Sequence, residues 1–175
     1  YYSMKFINEN TGWATGDYNK IIKTTDGGAI WTEQNSGIPG INTKFSCINT
    51  FDNSGEVCWI TGFGGLILKT EDGGANWVIK QSGAVSQSVD LWSVYFINDN
   101  TGWVSGTYGT IIKTNNGGLS WLNTGGNLTG NTLIDIYFSS LNSGWAVGHN
   151  GKILNTTNSG INWSLQNSNT QENLF

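Results

Sequence analysis

Thr24-Thr25-Asp26-Gly27-Gly28-Ala29-Ile30-Trp31 decides the fold, because the chain writes it four times. It returns as Thr70-Glu71-Asp72-Gly73-Gly74-Ala75-Asn76-Trp77, then as Thr114-Asn115-Asn116-Gly117-Gly118-Leu119-Ser120-Trp121, and last as Thr156-Thr157-Asn158-Ser159-Gly160-Ile161-Asn162-Trp163. A second tryptophan stands 18 residues ahead of the one that closes each copy, at Trp13, Trp59, Trp103 and Trp145. Successive copies are offset by 46, 44 and 42 residues. A cassette of fixed internal spacing, joined by connectors of changing length, marks a repeat architecture. Periods of about 40–50 residues hold four strands per unit.

The third repeat reads most plainly. Trp92–Ile97 is β-branched and aromatic and ends in the turn-forming Asn98-Asp99-Asn100-Thr101-Gly102. Trp103–Ser105 is a second strand, Thr110–Thr114 a third and Leu119–Asn123 a fourth. Such a four-stranded meander leaves two apolar faces and two edges open. Setting meanders side by side around an axis covers the faces and leaves only short edges. The expected fold is therefore all-β, a β-propeller of four repeats of about 44 residues, over approximate limits 1–44, 45–91, 92–133 and 134–175. Tyr1–Phe6 matches Leu91–Phe96 and Leu174-Phe175 matches Leu91-Trp92, so the chain reads as a segment of a larger propeller.

Composition narrows the function. Charged residues make up 11%, net charge is −4, and all eight cations are lysine. A nucleic-acid surface needs a concentrated basic patch, which this composition does not provide. No apolar run approaches the roughly 18 residues of a membrane span. Abundant Gly, Asn, Ser and Thr with one proline, Pro39, would suit disorder, but nine tryptophans in a regular pattern require a folded core.

The Thr-x-Asp-x-Gly-x-x-Trp pattern resembles the Asp-box, or BNR, repeat. The longer cassette, Phe-Ile-Asn-x-Asn-Thr-Gly-Trp followed by Ile-Ile-Lys-Thr-x-x-Gly-Gly-x-x-Trp, is similar to the repeats of photosystem II assembly and stability-factor-like proteins. Many bacterial surface and secreted proteins carry such repeats. The resemblance implies that the box forms the turn between third and fourth strands, with Asp26, Gly28, Trp31, Asp72, Gly74 and Trp77 in structural roles. Asn116, Gly118 and Trp121, and Asn158, Gly160 and Trp163, fill the same places, since an amide oxygen accepts the hydrogen bonds a carboxylate would. A catalytic carboxylate would not tolerate that change. The box is architecture.

Two enzyme readings attach to the same resemblance. Sialidases grip a carboxylate with arginines, and this chain has none. Asp-box glycosidases need two carboxylates about 5 to 10 Å apart. Asp90 and Asp135, near the starts of first strands, are the candidates, though nothing in the sequence marks them as a pair. A single histidine, His149, gives no metal-ligand spacing, and no cofactor is expected.

Cys47 and Cys58 lie symmetrically about Asp52-Asn53, so a disulfide across the first hairpin of the second repeat and two free thiols both fit. Resemblance to secreted proteins favours the disulfide and an extracellular, cell-surface or periplasmic address. The loop between second and third strands carries a ring in every repeat, Tyr18, Phe63, Tyr108 or His149. Rings on a shared face stack on sugars or peptides. Three Asn-x-Ser/Thr sequons, at Asn127, Asn155 and Asn162, follow from an Asn-rich composition. The expected function is a non-catalytic binding or scaffold module with a protein or polysaccharide partner, completed by a homodimer or by the remaining repeats of a longer chain. A glycoside hydrolase is the alternative.

Overall fold

The computed structural model describes residues 1–38, 42–80, 83–125 and 128–175; Pro39 and the sequon asparagine Asn127 fall outside that set. Among the described residues, sixteen strands make four separate four-stranded antiparallel sheets, each in sequential order. The first blade holds β1 (Ser3–Phe6), β2 (Gly12–Thr15), β3 (Ile21–Thr24) and β4 (Thr32–Gln34). The second holds β5 (Phe45–Asn49), β6 (Cys58–Gly62), β7 (Leu66–Thr70) and β8 (Val78–Ile79). The third holds β9 (Leu91–Phe96), β10 (Gly102–Gly106), β11 (Ile111–Thr114) and β12 (Leu122–Asn123). The fourth holds β13 (Leu133–Phe138), β14 (Gly144–Gly148), β15 (Ile153–Thr156) and β16 (Ser164–Gln166). This is a partial propeller of four blades.

Several strand limits differ from the sequence expectation. The fourth strand of the third blade is only Leu122–Asn123, because Leu119 and Ser120 stay in the box turn, where the Ser120 N–H donates to Asn116 Oδ1 at 3.0 Å. The third and fourth sheets begin at Leu91 and Leu133, one residue before the expected repeat limits. A β-bulge lets Gly106 pair with Leu91 and Gly148 with Leu133.

Three apolar layers, each between neighbouring blades, form the core. From one blade come the β2-type tryptophan and a third-strand isoleucine; from the next come apolar residues of the first three strands and the box tryptophan. Trp13 and Ile21 meet Phe45, Ile48, Ile60, Leu68 and Trp77. Trp59 and Ile67 meet Leu91, Val94, Phe96, Val104, Ile112 and Trp121. Trp103 and Ile111 meet Leu133, Ile136, Phe138, Ala146, Leu154 and Trp163. Trp59 stacks on Phe96 with centroids 4.2 Å apart, and Trp103 on Phe138 at 3.5 Å. Each such burial contributes a few kcal/mol, on the order expected for a large side chain. Across the strand from each of these tryptophans a lysine places its Nζ over the ring, Lys23 at 4.8 Å, Lys69 at 5.1 Å and Lys113 at 5.4 Å.

The cysteines do not form a disulfide. Both thiols are free, and Cys47 pairs with Thr61 rather than facing Cys58. The hairpin turn spans residues 50–57, longer than the turns at 7–11, 97–101 and 139–143, which moves its centre away from Asp52-Asn53. Cys58 joins the layer against the first blade while Cys47 packs on the layer against the third, so the side chains leave opposite faces of the sheet. Burial pushes the Cys58 thiol up to about 12, and burial raises Cys47 as well.

Candidate functional site on the loop face

The box turns hold the blades without contributing a reactive group. In the first, the Thr24 hydroxyl donates to Asp26 Oδ1 at 2.8 Å and accepts the N–H of Gly28 at 2.9 Å, while Asp26 Oδ1 accepts the Ile30 N–H at 2.9 Å. Thr70, Asp72, Gly74 and Asn76 repeat this pattern. Asn116 Oδ1 and Asn158 Oδ1 do the same work in the other two blades, accepting from Ser120 and Asn162. Gly28 and Gly74 sit at φ 92° and 91°, where a side chain would be strained. The threonine hydroxyl is the hub of every box. Its identity in all four copies was the signal for that role, and reasoning centred on the aspartate misses it.

The opposite rim is formed by the loops between second and third strands and by the crossovers between blades. The loops are tied to the crossovers on either side of them. The Phe63 N–H donates to the Lys44 carbonyl at 2.9 Å, the Gly65 N–H to Val89 at 2.7 Å and the Gly64 N–H to Asp90 Oδ1 at 3.1 Å. In the third and fourth blades, the Gly109 N–H donates to Asn131 at 2.8 Å and the His149 N–H to Thr132 at 2.9 Å. These bonds fix the rim before any ligand arrives.

The four rings of this rim are not equivalent. Tyr18 and Tyr108 occupy the left-handed position of their loops, both at φ 58°, and are 70% and 68% exposed. Gly64 and Asn150 take that position in the second and fourth blades, so Phe63 and His149 stand one residue earlier. Both are half-buried. Phe63 lies edge-on to Trp92 with centroids 5.2 Å apart. The bulge of the third blade turns Trp92 out of the sheet alternation and onto this rim. Tyr2 aligns with it in the first blade, where its hydroxyl reaches both carboxylate oxygens of Asp17 at 3.2 Å. Lys44 Nζ lies 3.8 Å from Asp17, 5.7 Å from the Tyr2 ring and 5.5 Å from the Phe63 ring. Tyr2, Lys44, Phe63 and Trp92 thus form a continuous row across three blades. Of this row the sequence expectation named only Phe63, because Tyr2 and Trp92 look like ordinary strand residues.

Beside this row a cleft of about 460 Å³ opens between two crossovers, lined by Ile38, Thr43, Phe63, Leu66, Ile79 and Val85 among others. Its walls are mainly aliphatic and aromatic, which suits an apolar side chain. Asp90 and Asp135 take up structural bonds: Asp90 accepts the Gly64 N–H, and Asp135 accepts the Ser93 hydroxyl at 2.7 Å. Among the described residues no group of three or more His, Cys, Asp or Glu gathers to hold a metal, and no helix is long and apolar enough to cross a membrane.

A family model described as photosynthesis system II assembly factor YCF48 matches residues 1–82. A solved structure, YCF48 bound to D1 peptide, superposes over 94% of this chain and 81% of its own with a TM-score of 0.64 and 14% identity. The chain is a partial propeller that resembles YCF48 in its Asp-box repeats. YCF48 from Cyanidioschyzon merolae superposes over 94% of this chain and 55% of its own, with a TM-score of 0.69 and 18% identity. An ancestral GH74 enzyme matches 91% of this chain but 22% of its own, at a TM-score of 0.71 and 16% identity. At these identities the YCF48 and GH74 likenesses concern the fold. The chain spans about half of one YCF48 relative and less than a quarter of the GH74 enzyme. No curated protein matches it in sequence.

Proposed function

We propose that this propeller is a non-catalytic binding or scaffold module whose loop face takes an extended segment of a protein partner. The observation that carries the reading is the aliphatic cleft beside the Tyr2–Lys44–Phe63–Trp92 row, on a rim already fixed by main-chain hydrogen bonds. A pre-set rim limits the ordering cost of binding, and one apolar pocket beside partly exposed rings suits a peptide with an apolar anchor. The likeness to a propeller solved with a bound D1 peptide supports a protein partner over a polysaccharide. A surface or secreted address belongs to the same proposal and rests on the resemblance of the repeats; the free thiols lend it no support.

The test is fluorescence polarisation against an array of labelled extended peptides that includes the D1 peptide. Phe63→Ala is expected to weaken binding about 10- to 100-fold, the usual range for an aromatic anchor, while Leu119→Ala, on the opposite rim, leaves it unchanged. Equal binding by both variants would remove the cleft from the site. The glycosidase alternative rests on the GH74 fold likeness. Reducing ends released from plant or bacterial polysaccharide, and lost in Asp90→Asn or Asp135→Asn, would favour it and overturn the binding reading.

A further inference from the structure

The left-handed residue of each rim loop carries an N–H that the chain caps in two blades and leaves bare in two. In the second blade that residue is Gly64, and its N–H donates to Asp90 Oδ1 at 3.1 Å. In the fourth it is Asn150, whose N–H donates to Asn173 Oδ1, also at 3.1 Å. The two caps hold equivalent places. Asp90 stands directly before Leu91, the first residue of β9, and Asn173 directly before Leu174, whose N–H reaches the Gly148 carbonyl as the Phe45 N–H reaches Gly16.

In the first and third blades the left-handed residue is Tyr18 or Tyr108, and among the described residues neither N–H has an acceptor. Lys44 and Thr132 hold the capping place there. A lysine side chain has no acceptor, and threonine carries its oxygen one bond nearer the main chain than aspartate or asparagine does. The next N–H of the loop is tied alike in three blades, Asn19 to Thr43 at 3.1 Å, Gly65 to Val89 at 2.7 Å and Gly109 to Asn131 at 2.8 Å. The bare N–H therefore reflects the missing cap and not a looser loop. It coincides with an exposed tyrosine ring in both blades, where the capped loops have glycine or asparagine.

We infer that the Tyr108 loop binds the side-chain oxygen of an aspartate or asparagine on an extended partner segment, which does for the Tyr108 N–H what Asp90 does for that of Gly64. The internal caps define the ligand. One is a carboxylate and the other a carboxamide, so the loop recognises an acyl oxygen and not a charge. Asn150, at φ 55°, accommodates a cap although it has a side chain, and Tyr108 lies at 58°. The phenol ring beside the N–H offers an apolar face to the partner's neighbouring side chain. A partner lacking the oxygen would cover the donor without satisfying it, which disfavours that partner. Tyr18 presents a second copy of the site. This inference rests on the reading of the loop face as a peptide surface, and it adds a foothold one blade along from the Phe63 loop.

Thr132→Asn tests it by supplying the cap from within the chain, as Asn173 does for Asn150. Amide exchange of Tyr108, read by NMR on the full chain, is expected to slow in this variant. Unchanged exchange would mean that the loop takes no side-chain oxygen and would overturn the inference. Fluorescence polarisation against the same peptide array then measures binding. The tightest peptides are expected to contain Asp or Asn; exchanging one for the other is tolerated, and replacing it by Ala weakens binding at least about 10-fold, the scale of a donor left covered and unpaired. Thr132→Asn is expected to weaken binding by a similar factor, whereas Thr132→Val, of the same shape and with no acceptor, leaves it unchanged. Phe63→Ala reports on the cleft separately. Loss with Phe63→Ala but not with Thr132→Asn would keep the cleft and overturn this inference; the reverse pattern would keep this inference and remove the cleft. A wild-type chain that binds no peptide of the array would overturn both.

Discussion

Asp72 and Asn116 occupy the same position in the same turn, yet only one of them titrates. The side-chain amide of Asn76, the Asn76 N–H and the Thr70 hydroxyl hold the Asp72 carboxyl at about 2, below its ordinary 3.8. Asp26 is lowered chiefly by the Ile30 N–H and the Thr24 hydroxyl. A carboxylate depressed on folding stabilises the native state above its unfolded pKa and loses that contribution as pH falls through the folded value. The window for Asp72 therefore runs from about 3.8 down to about 2. Asp26→Asn/Asp72→Asn should lose little at neutral pH, since two boxes already use Asn. Its urea midpoint should fall less on acidification to about pH 2.5 than that of the wild type. An equal fall would place the acid sensitivity outside the boxes. At this scale the boxes were legible because the chain repeats them, so each copy tests the others. The cysteines were not legible. Their apparent symmetry assumed a tight turn centred on Asp52-Asn53, whereas the strands pair with Asn49 opposite Trp59; Cys47 then faces Thr61, and Cys58, three residues from Thr61, lies on the other side of the sheet.

Elements explain why the glycine-glycine pair persists through most boxes. Gly118 sits at φ 76°, and a Cβ there would lie 2.5 Å from Cη2 of Trp59 in the neighbouring blade. Gly118→Ala is expected to cost about 2–4 kcal/mol, combining left-handed strain with displacement of a buried indole. Gly130, whose Cβ would meet nothing within 4 Å, is the control, and Gly130→Ala should stay within about 0.5 kcal/mol. Urea unfolding of both variants checks the contrast; equal losses would mean that the Trp59 site yields easily. Strand order and the tryptophan layers were readable from the 18-residue spacing, which keeps both tryptophans of a blade in fixed places. The bulges were not readable. Trp92 sits in a run of strand-forming residues, and only the pairing of Gly106 with Leu91 makes it the residue that leaves the alternation. The four loop rings were aligned by residue type, whereas the register between Gly16 and Ile21 and its counterparts separates them into two kinds.

Across the whole molecule, the blades differ in how many neighbours cover them. The second and third blades are covered on both faces, the first and fourth on one. In a linear array of repeats, stability follows the sum of nearest-neighbour contacts, so end units open first. In the 175-residue chain, amide exchange should be slowest in β6, β7, β10 and β11 and fastest in the first and fourth blades. Uniform protection would indicate one cooperative unit. The partial propeller itself was legible in the repeat. Its open ends were not, because a repeat count alone does not say whether four blades close.

Tyr18 and Tyr108 give the rim a spacing of two blades, since the blade between them carries Gly64 at the matching position. Both are held on short loops tied into a stiff scaffold, so their separation is set before any partner arrives. A partner with two anchor groups at that separation would make its second contact at a high effective concentration. Its avidity would then depend on the geometry between the anchors more than on the strength of either one. Lengthening or shortening the partner between its anchors would be felt as sharply as removing a tyrosine. The rim would thus select partners by distance as well as by chemistry.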